Sequence, residues 1–305
     1  MAVHEPPFVE KYKAIFQNSA DQQKEKFPMV EVMIEEFELP LIDLSRLNHG
    51  PSERQKCIEQ ISEAAKEWGF FQIENHGIAE ELLKKLKQEQ RKVFHQPFER
   101  KAESNFLNLS ANSYRWGNPL ATSLRNLSWS EALHISLKDT SKMDEFNELR
   151  STIEEFAMRA NLLAQRLAEH LAQNLDTLHV HTLPRCLASS LTILCQDQVG
   201  GLQLKKNGKW VSVKPNPKAL VINIGDLFEA LSNGVYKSIT HRVVANEEVE
   251  RFSVAYFYCP TYESVIESCS KPALYRSFSF KEYREQIQKD VKATGDKVGL
   301  SRFLF

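Results

Sequence analysis

The stretch LTILCQDQVGGLQLKKNGKWVSVKPNPKALVINIGD, residues 191–226, decides the fold of this chain. Its apolar runs are short, and turn signals separate them. The runs are residues 191–195, 202–204, 210–213 and 220–224. The turn signals are Gly200-Gly201, Asn207-Gly208 and Gly225-Asp226. Because Asn-Gly is typical of a two-residue hairpin turn, and because the strands recur at this spacing, the stretch predicts a β sandwich or jelly roll.

Two further strands are predicted downstream, at 241–245 and 251–259, joined by a charged turn. Arg251 and Ser253 lie two residues apart, so their side chains share one face of a strand. We expect a hairpin that brings His241, Arg251 and Ser253 to the same end. An imidazole can bind a metal, and the planar guanidinium of arginine pairs with a carboxylate. This triplet is therefore the first candidate site, although each of its residue types also occurs on ordinary strands.

Helices and a few strands surround this β region. The most regular helix pattern covers 151–173, with Ser151 and Glu154 as a capping box. Other predicted elements are helices at 54–68, 79–95 and 280–292, strands at 39–44 and 70–73, and a helical arm with a charged linker over 1–38. The aromatic residues Trp116 and Trp129 are expected to pack in a core.

The amino-acid composition argues against several classes of protein. The chain has 305 residues, 42% of them hydrophobic, and a formal net charge of -1. This balance argues against nucleic acid as a partner and against disorder. The five cysteines are scattered, which is typical of reduced thiols. Residues 1–10 do not resemble a signal peptide, and no apolar run reaches membrane length. We expect a cytoplasmic protein, with the nucleus as a further location left open, and no membrane partner; protein partners are not predicted.

Several blocks together resemble one family, the plant iron(II)- and 2-oxoglutarate-dependent dioxygenases. The spacing of His241 from Arg251-Phe252-Ser253 is similar to the C-terminal signature of that family. The other blocks are LPLIDLSRL (39–47), EWGFFQIENHGI (67–78), residues 191–204, residues 208–243 and RFSVAYFYCP (251–260). The block SYRWGNPLATSLRNLSWSEALH (113–134) and the C-terminal segment resemble one subgroup, the gibberellin 2-oxidases that act on C20 gibberellins.

The resemblance implies a mixed α+β fold. Its core would be a distorted double-stranded β-helix, or jelly roll, with flanking helices, incomplete around 174–190. It also implies three parts. They are an N-terminal arm and linker (1–38), an N-terminal dioxygenase region (39–150), and a helix with the jelly-roll core and C-terminal helix (151–305).

The resemblance further implies Fe(II), 2-oxoglutarate as co-substrate and O2. His241 would be a metal ligand, and Arg251 with Ser253 would bind the far carboxylate of 2-oxoglutarate. The implied reaction is hydroxylation of carbon 2 of a C20 gibberellin, a diterpenoid acid, which inactivates the hormone.

The sequence departs from the family at the implied iron site. The family has a His-x-Asp before the strand at 191, and an Asn-x-Tyr-Pro segment further upstream. Here the positions of that His and Asp carry Arg185 and Leu187. Arginine has no free lone pair for a metal. A rebuilt ligand set with His181 as second ligand is one alternative.

Three other interpretations stay open. The chain is a dioxygenase of another plant metabolite, or it is a catalytically inactive or truncated variant that binds a small molecule or a partner. Alternatively, residues 174–190 come from a mis-spliced transcript. The lost segment should contain core strands, so its absence would leave a sheet edge and apolar faces open.

Overall fold

The computed structural model describes residues 4–22, 35–119, 121, 127–176, 190–295 and 297–305. Contacts divide the chain into two compact units. The first contains Met1–Met33 and Glu80–Phe156, and the second contains Ile34–Ala79 and Ala157–Phe305. The three-part division of the sequence stays a prediction. Among the described residues, no helix has the length and apolar character needed to cross a membrane.

The described chain contains helices and runs of short strands. The α-helices are α1 (Phe8–Gln22), α2 (Pro51–Glu67), α3 (Glu80–Phe94), α4 (Phe98–Lys101), α5 (Asn147–Asp176), α6 (Asp226–Leu231) and α7 (Phe280–Thr294). The first strands are β1 (Glu36–Phe37), β2 (Leu41–Asp43), β3 (Phe70–Glu74), β4 (Tyr114–Trp116), β5 (Glu131–Leu133), β6 (Leu191–Gln196) and β7 (Leu202–Lys206). The remaining strands are β8 (Lys209–Val213), β9 (Leu220–Ile224), β10 (His241–Val243), β11 (Ser253–Tyr258), β12 (Val265–Ile266) and β13 (Phe278–Ser279).

Two sheets form the centre of the second unit. One has the strand order β11-β6-β9-β3-β2, and the other has the order β1-β8-β7-β10. Neighbouring strands are antiparallel except for β2 with β3 and β1 with β8. Side chains of both sheets pack against each other between them. This buried cluster includes Phe70, Val221, Leu202, Leu204 and Val213. The two sheets therefore face one another, as the sequence predicted, and the described strands do not close into a barrel.

The predicted Asn207-Gly208 turn is confirmed. Asn207 (φ 49°) and Gly208 (φ 79°) both have positive φ, the conformation that a two-residue hairpin turn requires. This turn joins β7 to β8, which pair antiparallel. The long helix is also confirmed, although α5 starts at Asn147. Ser151 lies inside it and donates its hydroxyl to the Glu148 carbonyl, so the predicted capping box at Ser151 and Glu154 is wrong.

The predicted hairpin between the last two core strands is also wrong. β10 pairs with β7 in the four-stranded sheet, whereas β11 pairs with β6 in the five-stranded sheet. The segment between them crosses from one sheet to the other. A short charged connection is compatible with either course, which is why the local sequence did not distinguish them.

β10 and β11 are edge strands within the described residues, since each lies at the end of its sheet. Apolar side chains on these strands are open to solvent: Val243 is 52% exposed and Phe257 is 60% exposed. The expectation that lost strands leave a sheet edge open stays a prediction, because it concerns the segment 174–190. Residues 177–189, most of the segment 174–190 where the sequence departs from the family, lie outside the described residues.

The aromatic residues of the first unit pack on α1. The Trp129 ring stacks on Phe8 with 4.9 Å between centroids, and the Trp116 ring meets Phe8 edge-on at 5.7 Å. The Tyr12 hydroxyl donates to the Ser128 carbonyl. Both tryptophans contact Phe8, but Trp116 is only partly buried and Trp129 keeps 46% of its surface exposed, so the expected core position is wrong for Trp129.

Candidate functional site

The start of β11 carries the first part of the candidate site. Ser253 is the first residue of this strand, and Arg251 precedes it by two positions. Ser253 lies directly opposite Gln196, the last residue of β6. Residues opposite each other in an antiparallel pair point to the same face. Arg251, Ser253 and Gln196 therefore lie on one face of the five-stranded sheet.

Three neutral acceptors hold the Arg251 guanidinium. Nε donates to the Gly200 carbonyl at 2.5 Å, Nη1 donates to the Ser253 hydroxyl at 2.9 Å, and Nη2 donates to the Gln196 Oε1 at 3.4 Å. A guanidinium has five N–H donors, so two further donors are left on the Nη atoms. Burial lowers the pKa of Arg251, and the negative charge of Asp197 opposes this shift. The side chain remains cationic and can bind an anionic group.

Asp197 fixes the backbone beside the guanidinium. Its carboxylate accepts the Val199 N–H at 2.9 Å and the Phe252 N–H at 2.5 Å. Phe252 lies between Arg251 and Ser253, so this buried carboxylate sets the position of both side chains. Sequence reasoning assigned no role to Asp197. The available signal was a polar pair, Gln196-Asp197, directly after the apolar run 191–195.

The Gly200-Gly201 turn brings the end of β10 close to Arg251. Gly201 accepts a hydrogen bond from the Val244 N–H at 2.8 Å. A Cβ at Gly201 would lie 2.3 Å from the Val244 carbonyl oxygen, and the backbone there has φ +83°. Only glycine allows this approach without strain. The sequence placed the turn correctly, but not its contact with β10.

His241 projects toward the same face from the opposite sheet. It lies opposite Leu204, a residue of the buried cluster between the sheets, and its ring meets the Phe70 ring at 5.1 Å. The His241 Nδ1 lies 2.9 Å from the Ile239 carbonyl oxygen. Because a carbonyl only accepts, Nδ1 carries the proton, and Nε2 of the neutral ring keeps the lone pair that a metal requires.

Strand register connects the two parts of the site. Phe257 is four residues after Ser253 and shares its face. The same face continues across the sheet through residues that lie directly opposite one another. Phe257 lies opposite Thr192, Thr192 opposite Asn223, and Asn223 opposite Phe70. Phe70 in turn contacts His241. The structure therefore places all three predicted residues, His241, Arg251 and Ser253, around the surface between the two sheets, without the hairpin that sequence analysis expected.

The iron site that the resemblance implies is incomplete in the described part of the chain. No group of three or more His, Cys, Asp or Glu side chains there could hold a metal ion. His241 supplies one imidazole, whereas an iron(II) site of this type has two His and one carboxylate. The alternative ligand His181 lies outside the described residues. Within the described part of the chain, the structure therefore supplies one of the three protein ligands, His241, and does not complete an iron(II) site.

A carboxylate, in contrast, fits the site. Its oxygens are acceptors only, and Arg251 presents N–H donors on the Nη edge. An arginine fork binds a carboxylate through two parallel hydrogen bonds. The described residues can therefore hold the carboxylate end of a small acid.

Comparison with known proteins identifies the family to which the chain is similar. Residues 161–260 match the 2OG-Fe(II) oxygenase superfamily, and residues 39–152 match the family of the N-terminal region of a non-haem dioxygenase in morphine synthesis. The chain is 49% identical to gibberellin 2-beta-dioxygenase 8 of Arabidopsis thaliana, over 98% of both chains. It is 41% identical to gibberellin 2-beta-dioxygenase 6 of rice, Oryza sativa subsp. japonica, over 98% of this chain and 96% of the relative.

These relatives also show that the chain is short. The alignment with the Arabidopsis protein has 335 positions against 305 residues, so at least 30 positions have no residue in this chain.

Solved structures support the jelly-roll fold. The dioxygenase for auxin oxidation in rice has a TM-score of 0.69 at 22% identity, covering 88% of this chain and 100% of that one. The structure of JOX2 in complex with 2OG, Fe and JA has a TM-score of 0.67 at 28% identity. The match covers 94% of this chain and 95% of that one.

Proposed function

The chain belongs to the 2OG-Fe(II) oxygenase superfamily, and on this premise we propose that it is a gibberellin 2-oxidase-like protein for C20 gibberellins. The superfamily uses Fe(II), 2-oxoglutarate and O2. The reaction of this class is oxidation at carbon 2, which removes the active hormone precursor. Four relatives named gibberellin 2-beta-dioxygenase, at 41–49% identity and near full length, support this substrate over other plant metabolites.

One observation carries the proposal: a guanidinium with two remaining donors lies on the face that His241 approaches from the other sheet. Arg251 would bind the far carboxylate of 2-oxoglutarate, and Ser253 and Asp197 would hold the guanidinium in place. His241 would offer Nε2 to iron(II), whose role in the family is to activate O2. Because the described residues do not complete an iron site, no oxidation step is assigned to them.

A second candidate function is binding without turnover. The specific observation in its favour is that no group of three or more His, Cys, Asp or Glu side chains among the described residues could hold a metal ion. The family resemblance, in addition, aligns Arg185 and Leu187 with the His and Asp of the family. Such a protein would still bind 2-oxoglutarate or a gibberellin, both of which are small carboxylic acids.

One experiment separates the two candidates. Purified full-length chain is incubated with a C20 gibberellin, 2-oxoglutarate, Fe(II) and O2, and the 2-hydroxylated product and succinate are measured by mass spectrometry. Equal amounts of both products support the dioxygenase. Binding of 2-oxoglutarate and gibberellin, measured by calorimetry, with no product supports the binding protein. Failure to bind either ligand refutes both candidates.

A further inference from the structure

We propose that Gln196 is a direct donor to the ligand carboxylate, next to Arg251. The proposal rests on the proposed carboxylate site and adds a residue to it. Gln196 is 1% exposed, and its Nε2 is buried without a hydrogen-bond partner among the described residues. An unpaired buried amide N–H is unfavourable. An acceptor that arrives with a ligand would remove this penalty.

The orientation of the Gln196 amide follows from its neighbour. Arg251 offers donors only, so the amide must turn its oxygen toward Nη2, as the 3.4 Å contact shows. The amide nitrogen then points to the other side of the same group. A flipped amide would set N–H groups of the two side chains against each other.

The resulting arrangement matches a carboxylate in shape. The Gln196 nitrogen and the remaining Nη N–H groups belong to side chains that touch each other. The two carboxylate oxygens are separated by a single carbon, so one can accept from Arg251 and the other from Gln196. Because Nε2 is closed to solvent in the ligand-free chain, the Gln196 side chain must rotate toward the guanidinium edge as the ligand enters. Both donors lie on the face that Ser253 shares.

The chain contains a matched control in Gln203. Gln203 is 7% exposed, and its Oε1 accepts from the Arg242 Nε at 2.8 Å, so its chemistry is the same as that of Gln196. Its neighbours Leu202 and Leu204 face the cluster between the sheets. Alternation therefore places Gln203 on the outer face of its sheet, away from the candidate site.

The test is calorimetric titration of 2-oxoglutarate into the full chain with a chelator present, so that no metal contributes. We expect Gln196→Met to weaken binding about tenfold or more, because Met keeps the side-chain shape but has no N–H. Gln203→Met should bind as the wild type does. Gln196→Glu should abolish binding, because its carboxylate would itself pair with Arg251.

Each outcome of the titration supports or overturns the role of Gln196 as a donor to the ligand carboxylate. Binding by Gln196→Met within twofold of wild type overturns the role of Gln196, while loss of binding in Arg251→Met would leave the carboxylate site standing. No binding by the wild type overturns both proposals. Should the Gln196 variants fail to fold, the wild type is titrated with 2-oxoglutaramate, whose far end is an amide. This ligand presents N–H groups to a site made of donors, so affinity equal to that of 2-oxoglutarate overturns the inference.

Discussion

Asp226 connects α6, the segment before His241 and the C-terminal helix, and its removal gives the sharpest test of the fold. Its side chain is 10% exposed. The carboxylate accepts the Ser238 hydroxyl at 2.6 Å and the Tyr283 hydroxyl at 2.6 Å, and it pairs with the Lys297 Nζ at 3.0 Å. Sequence analysis saw only a residue that follows a strand. The structure makes it the centre of a buried polar network.

The magnitude of the effect follows from these contacts. Hydrogen bonds to a charged group each contribute about 1.5–3 kcal/mol. Lys297 is half exposed, so its ion pair adds at most about 1 kcal/mol. Asp226→Ala removes every acceptor and should cost about 3–5 kcal/mol of unfolding free energy. Asp226→Asn keeps one acceptor oxygen and the shape, and should cost about 1–3 kcal/mol.

The pH dependence has a definite sign. Burial alone would raise the pKa of Asp226, but the charge of Lys297 and the hydrogen bonds from Ser238 and Tyr283 outweigh it and lower the pKa. A carboxyl whose pKa is lower in the folded chain stabilises that state at neutral pH. This contribution begins to fall near the unfolded pKa of about 4 and is lost as the pH drops through the folded value. Asp226→Asn should therefore lose less stability than the wild type as the pH falls below about 4.

Urea unfolding followed by tryptophan fluorescence and circular dichroism measures these differences. Tyr283→Phe serves as the partner in a double-mutant cycle. We expect a coupling of more than about 1 kcal/mol between the two positions, because the hydrogen bond joins them directly. A loss below about 1 kcal/mol for Asp226→Ala, or simple additivity with Tyr283→Phe, would refute the reasoning.

Three other predictions address the site. Arg251→Met should weaken 2-oxoglutarate binding at least about tenfold, measured by calorimetry, because it removes the charged fork; unchanged affinity would exclude Arg251 as the carboxylate donor. Anaerobic addition of Fe(II) and 2-oxoglutarate tests the iron site: the dioxygenase candidate predicts a charge-transfer band in the visible spectrum that His241→Ala abolishes, whereas binding of 2-oxoglutarate without a band would contradict that candidate and support binding without turnover. Gly201→Ala should cost about 3 kcal/mol or more in urea unfolding, because its Cβ would meet the Val244 carbonyl, whereas Gly208→Ala, with the same sign of φ and open space around it, should cost about 1 kcal/mol. Equal costs for the two glycine variants would show that the close approach has no energetic weight.

The parts of the fold that local sequence determines were predictable. The Asn207-Gly208 turn requires two positive φ angles, which few residue pairs tolerate, so the sequence alone locates it. The face of α5 repeats every three to four residues, and its core side chains are buried as expected. The course of the chain between Val243 and Ser253 was not predictable, because a charged connection of this length serves a hairpin or a crossing equally well.

The same limit applies to the candidate site: residues close in sequence were predicted, and residues brought together by strand pairing were not. Arg251 and Ser253 lie close in sequence and match a known pattern, so they were found. Gln196 and Asp197 reach them only through the pairing of β6 with β11, across 55 positions of the chain. Strand register is a tertiary property, and a single sequence does not encode it in any short motif.

The open side of β11 has a consequence for handling the protein. A six-residue strand with Phe257 60% exposed offers a row of backbone groups with no covering strand in the described part of the chain. Such edges template association between molecules, and the association grows with concentration. Light scattering should therefore show oligomers that increase as the protein is concentrated. Phe257→Lys, which places a gatekeeper charge on that edge, should keep the chain monomeric at concentrations where the wild type assembles.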